Sequence, residues 1–221
     1  MPRTKKDYSG RKEQLVRTAL DLFMEKGYES TTITDLQKGF GLTKGGMYHY
    51  FESKEEILDA VIEHGLAQGI EELMEELEPL PPDKKLIHFF FSSTRDDFTR
   101  KLFQYSKTNQ STLVAYRLRE KTATMSVPVL KEIIRQCIAA GLYKTEYPDE
   151  MAEFSIVLAG AIAGDGMLPQ AGAKQNRGRA DAFLDLWSRC MASPAEHMNE
   201  LRAYLYRIVG DENEESGNEE E

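Results

Sequence analysis

Cysteine is nearly absent: the 221-residue chain has two, Cys137 and Cys190, far apart and with no C-x-x-C pair or histidine cluster beside them. Neither a disulfide framework nor a zinc site is signalled, and both thiols are expected to be reduced core residues. The four histidines, His49, His64, His88 and His197, fall in no nucleophile or metal-ligand constellation, and no G-x-S-x-G elbow occurs. No catalytic set, metal or cofactor is therefore expected. Long apolar runs are lacking too. The longest nearly apolar stretch lies between Glu153 and Asp165, too short to cross a bilayer, and the amino end, MPRTKKDYSGRKEQ, lacks the apolar segment of a secretory signal. These absences lead to the expectation of a cytoplasmic protein with no membrane partner. No segment alternates with a period of two, which leaves an all-α fold.

The charge is unevenly spread. The formal net charge of −9 argues against a nucleic-acid partner only if it is uniform. Residues 1–51 carry nine Lys/Arg against six Asp/Glu, a net of +3, and residues 52–221 carry nineteen against thirty-one, a net of −12. Seven of the acids lie in the last segment, DENEESGNEEE, which has no apolar residue and is expected to form a disordered tail.

Helical periodicity sets the order of elements. Leu15, Ala19, Leu22 and Phe23 recur at three- and four-residue steps, and Gly27 supplies a stop. Thr32 with Asp35 forms a capping-box-like pair opening a short second helix toward Gly39 and Gly41; Thr43 opens a third that ends near Phe51. Ser53 with Glu56 opens a fourth, running to about Glu78, with its apolar stripe on one side. After the break at PLPPD, helices are expected at about 83–94, 96–107 and 110–140, the last interrupted or bent at Pro128. Another runs from Pro148 to near Gly166; residues 169–179 look like a polar loop, and helices at about 180–191 and 194–209 close the chain.

Three short helices with a tight turn, GLTKGG, between the second and third are the geometry that lets one helix enter a DNA major groove. Thr43 offers a hydroxyl at the third helix's start, Gly45 and Gly46 remove bulk where a phosphate would approach, and Lys44, Tyr48, His49 and Tyr50 supply reach. Leu42, Met47 and Phe51 are expected in the core, and Lys5, Lys6, Arg11 and Lys12 as a solvated basic arm. The stretch TTITDLQKGFGLTKGGMYHYFESKEEIL, Thr31 to Leu58, resembles the DNA-binding signature of the TetR family of transcriptional regulators. It departs at Leu36-Gln37, where members usually have Ile-Ala, and at Phe40, where they have Ala. The resemblance implies a homodimer on double-stranded DNA with a near-palindromic operator, responding to a small-molecule effector. By position it implies that Thr32, Tyr48 and Lys54 contact phosphates, while Lys44, Gly45, Gly46, His49 and Tyr50 face bases or adjoining phosphates. The expected organisation is a helix-turn-helix DNA-binding head at 1–53, a helical effector-binding and dimerisation domain at 54–209, and the acidic tail at 210–221.

The body is less explicit. Residues His88, Phe89, Phe103, Gln104, Tyr105, Leu113, Tyr116 and Arg117 mix apolar surface with orienting polar groups, as a pocket lining does and as ordinary core with polar outer faces also does. Small residues Ala152, Ala159, Gly160, Ala163 and Gly164, with Phe183, Leu184 and Trp187, fit a dimer seam, close packing within one subunit being the rival. A helical enzyme finds no catalytic set here, and an architectural DNA binder is disfavoured by the acidic body.

Overall fold

The computed structural model describes residues 5–92, 101, 105, 111–162, 168–169 and 171–209. Phe103 and Gln104 of the expected pocket, Ala163 and Gly164 of the expected seam, and the acidic segment 210–221 lie outside the described residues. Regular structure among the described residues is entirely helical: α1 Lys5–Lys26, α2 Ile33–Phe40, α3 Lys44–Tyr48, α4 Lys54–Leu77, α5 Pro82–Ser92, α6 Thr112–Ala139, α7 Pro148–Ile162, α8 Ala173–Met191 and α9 Ala195–Val209.

Two departures from the expected order have local causes. α6 runs through Pro128 as one helix rather than being interrupted there, the proline lying on an exposed face. The segment 169–179 is helical from Ala173 onward, and its polar residues secure that start rather than form a loop. Extended Gly172 precedes the first turn; Asn176 donates to the Ala171 carbonyl at 3.0 Å, and Arg179 donates to Asn176 and to the Pro169 carbonyl at 3.0 and 3.1 Å.

The chain packs into two compact units, one from residues 1–69 and 96–121, the other from 70–95 and 122–221. In the first, α1 lies against α2 and α2 against α3. Leu15, Ala19, Phe23, Leu36, Phe40, Met47, Phe51, Ile57, Val61 and Ile62 are each buried in this unit, as are Val114 and Leu118 of α6. The second has a continuous apolar core of Leu73, Leu77, Leu86, Phe89, Phe90, Leu130, Ile134, Cys137, Phe183, Leu184, Trp187, Met191, Leu201 and Leu205. There α8 packs on α9 and α7, and α9 on α5. The Tyr204 hydroxyl donates to the Phe90 carbonyl, and Lys84 pairs with Glu200 at 2.9 Å.

Candidate nucleic-acid interface

The head is assembled from caps. Thr32 opens α2 as a full capping box: its hydroxyl accepts from the Asp35 amide at 3.1 Å, and the Asp35 carboxylate accepts from the Thr32 amide and hydroxyl at 3.0 and 2.6 Å. Lys26 at 2.7 Å, with these Thr32 bonds, holds the Asp35 carboxyl well below the usual carboxylate range. The chain leaves α2 through Gly41, whose φ of 62° is the left-handed turn a Cβ would penalise. Thr43 then accepts from the Gly46 amide at 3.2 Å and starts α3.

These caps orient α3 with Met47 buried beneath it and Lys44, Gly45, Tyr48 and His49 exposed on its other side. Gly46 is half-buried over Leu42 and Thr43. Thr43 and Thr32 are exposed too, although the Thr32 hydroxyl proton is already given to Asp35. Tyr50 departs from the expectation: it is 5% exposed, and its ring stacks on Tyr8 at 4.9 Å. That burial makes it a packing residue rather than a reader. The Tyr8 hydroxyl also donates to the His49 carbonyl at 3.3 Å, so α1 pins the end of α3. Arg11 and Lys12 likewise are not a solvated arm. Arg11 donates to the Phe40 carbonyl at 3.1 Å, and the Lys12 ammonium lies 5.1 Å from the Phe51 ring. Phe40 is buried facing Phe51 at 6.3 Å, which accommodates the aromatic in place of the family's alanine.

At the start of α4 the Ser53 hydroxyl accepts from the Glu56 amide at 3.0 Å, and the Glu56 carboxylate accepts from the Glu52 amide at 2.6 Å. Lys54 is half-buried there, its ammonium 4.2 Å from the Tyr28 ring centroid and donating to the Glu29 carbonyl at 3.3 Å. Nothing in the sequence pattern marks Tyr28 and Glu29, because their relation to Lys54 exists only once the turn after α1 lies against the start of α4.

The described members of the expected pocket divide between the two units. In the first, buried Tyr105 accepts from the Tyr28 amide, Leu113 is half-buried, Tyr116 is exposed, and Arg117 faces Asp59 at 3.6 Å and Glu120 at 3.4 Å. In the second, Phe89 is core, and half-buried His88 meets Glu76 at 2.5 Å. Exposed Tyr116 does not line an enclosed space. The expected seam needs a larger correction. Ala152, Phe183, Leu184 and Trp187 are interior to the second unit, Ala159 packs against that core, and Gly160 is half-buried. The unpartnered apolar surface is elsewhere. Phe154 is 59% exposed and Leu186 54% exposed, with Val157 and Leu158 also outward on α7. Phe154 meets Cys190 across a groove of about 600 Å³ lined also by Tyr147 and Met151. Cys190 is exposed rather than core; Cys137 is buried, and burial pushes its thiol up to about 12.

Residues 15–61 match the family model described as "Bacterial regulatory proteins, tetR family". The chain is 37% identical over 70 residues to the HTH-type transcriptional regulator YfiR of Bacillus subtilis, covering 32% of this chain and 34% of that protein. It is 39% identical over 54 residues to the HTH-type transcriptional repressor KstR2 of Rhodococcus jostii, covering 24% and 26%. The matches thus span about a third or less of the curated relatives' length. In three dimensions the chain is similar to RolR, solved in complex with resorcinol, with a TM-score of 0.59 at 17% identity over 94% of this chain and 96% of that one.

Proposed function

We propose that the chain, whose residues 15–61 match the model of the tetR family of bacterial regulatory proteins, is a ligand-responsive transcriptional repressor rather than an enzyme. It binds a near-palindromic operator as a cytoplasmic homodimer. The observation that carries this reading is the exposed set Thr43, Lys44, Gly45, Tyr48 and His49 on a helix anchored by buried Met47. Lys44, Gly45, Gly46 and His49 face the bases or adjoining phosphates. Thr32, Thr43, Tyr48 and Lys54 meet the backbone, Thr32 through its helix start because its hydroxyl proton belongs to Asp35. Tyr50 supports them from beneath.

Two heads about 34–36 Å apart read successive half-sites. The pairing surface is the outward apolar face with Phe154, Val157, Leu158 and Leu186, since exposed apolar patches mark interaction sites. RolR's resorcinol supports a small-molecule effector for this chain as well. A differential affinity of about 1–3 kcal/mol between DNA-bound and free forms changes operator affinity roughly 5–150-fold, and linkage requires DNA to weaken effector binding equally. Selection of fragments from a random duplex pool by the full chain tests the reading. A repressor enriches one two-fold-related sequence; enrichment of none would make it a non-specific binder.

A further inference from the structure

Lys54 is held, and its holder is held in turn. The ammonium rests over the Tyr28 ring at 4.2 Å and on the Glu29 carbonyl at 3.3 Å. The Tyr28 amide donates to the Tyr105 hydroxyl, and the Glu29 carboxylate accepts a 2.9 Å bond from the hydroxyl of buried Ser111, 82 residues along the chain. Ser111 is also the residue at which α6 begins, its oxygen accepting from the Val114 amide at 3.4 Å. The Glu29 carboxylate therefore meets the amino-terminal end of a 28-residue helix, where the helix dipole favours negative charge. All of these residues belong to the first unit.

We propose that Ser111, through Glu29 and the Tyr28 ring, is a positioning residue for Lys54, so that the start of α6 sets how firmly the head grips the DNA backbone. The inference rests on Lys54 being a phosphate contact, as in the proposed function. Without the Ser111 bond the turn carrying Tyr28 and Glu29 loosens, and a lysine with four rotatable bonds reverts to solvent.

The test uses the full chain and a fluorescein-labelled duplex that the wild-type protein selects from a random pool, with affinity followed by anisotropy over a range of KCl concentrations. Lys54→Ala weakens binding and flattens the plot of log affinity against log salt by about 0.9 for each Lys54 in the complex. Ser111→Ala is expected to weaken binding about two- to tenfold, the worth of one hydrogen bond, and to shift the slope in the same direction. Serine and alanine carry no charge, so a slope change reports Lys54's placement. Ser111→Gly keeps a residue that caps helices well while deleting the hydroxyl, which separates this effect from loss of the α6 start. Tyr28→Leu removes the seat and behaves as Ser111→Ala. Ser111→Ala added to Lys54→Ala costs nothing further. Wild-type slope and affinity in both Ser111 variants, with Lys54→Ala impaired, overturn the positioning role alone. An unimpaired Lys54→Ala overturns it together with the phosphate contact.

Discussion

Two glycines of the head use a missing side chain in opposite ways. A Cβ at Gly39 would fall 2.8 Å from Leu22 Cδ1 and 3.3 Å from Thr18 Cγ2, so a side chain there would have to displace Leu22 where α2 lies against α1. A Cβ at Gly45 would meet nothing within 4 Å. Gly45→Ala should therefore keep or raise the melting temperature, alanine being favoured over glycine in helices by about 0.8–1 kcal/mol. If α3 lies in a groove with its backbone against DNA, the same variant should bind the selected duplex at least about tenfold more weakly, as when a charged hydrogen bond is displaced; equal affinity would remove Gly45 from the contact surface. Asp35 yields a prediction in pH. Its carboxyl is depressed in the folded chain, chiefly by Lys26 and then by Thr32. Its contribution is therefore complete above the unfolded value, near pH 4, and is lost as pH falls toward the depressed one. In urea unfolding the stability gap between wild type and Asp35→Asn should be widest above about pH 4 and close below it. A gap that persists unchanged to about pH 2 would mean that the charge of Asp35 contributes nothing. Asp35 was visible in the sequence because a capping box is complete within four consecutive residues. Tyr50 was not, since its burial depends on Tyr8 arriving from the other end of the head.

Helix ends in this chain were legible where one side chain makes them, as Thr32, Thr43, Ser53 and Gly41 do, and illegible where composition misleads. Gly172, Asn176 and Arg179 look like loop residues, yet their hydrogen bonds run into α8 and fix its first turn. The same helix ends on Ala192, a non-glycine residue with φ of 47°. Because that conformation costs an L residue about 1 kcal/mol, Ala192→Gly should raise unfolding free energy by up to about that amount. A measured loss in guanidinium melts would show that the end of α8 carries no such strain. Four residues of the expected seam, Ala152, Phe183, Leu184 and Trp187, are core at this level. On α7 a helical repeat names faces but not which face turns inward, and the small residues at Ala152 and Ala159 lie against the core while Phe154 and Leu158 point out.

For the whole molecule, the split of charge into +3 over residues 1–51 and −12 over the remainder gives the protein a polarity that total composition conceals. It was readable by counting, whereas the proposed pairing surface required knowing which apolar residues stay exposed. If two copies meet there, Leu158→Glu should convert a dimer into a monomer in sedimentation velocity with little change in melting temperature, because the residue is already exposed. An unaltered dimer would place the contact on another face. The two thiols turn this question into a rate measurement. Cys137 is sealed and kept protonated, whereas Cys190 is open beside Phe154. A maleimide should thus mark each native chain once, and its rate should fall as protein concentration rises and the groove is covered. The midpoint of that fall is the dissociation constant of the pair, obtained without placing a probe by mutation.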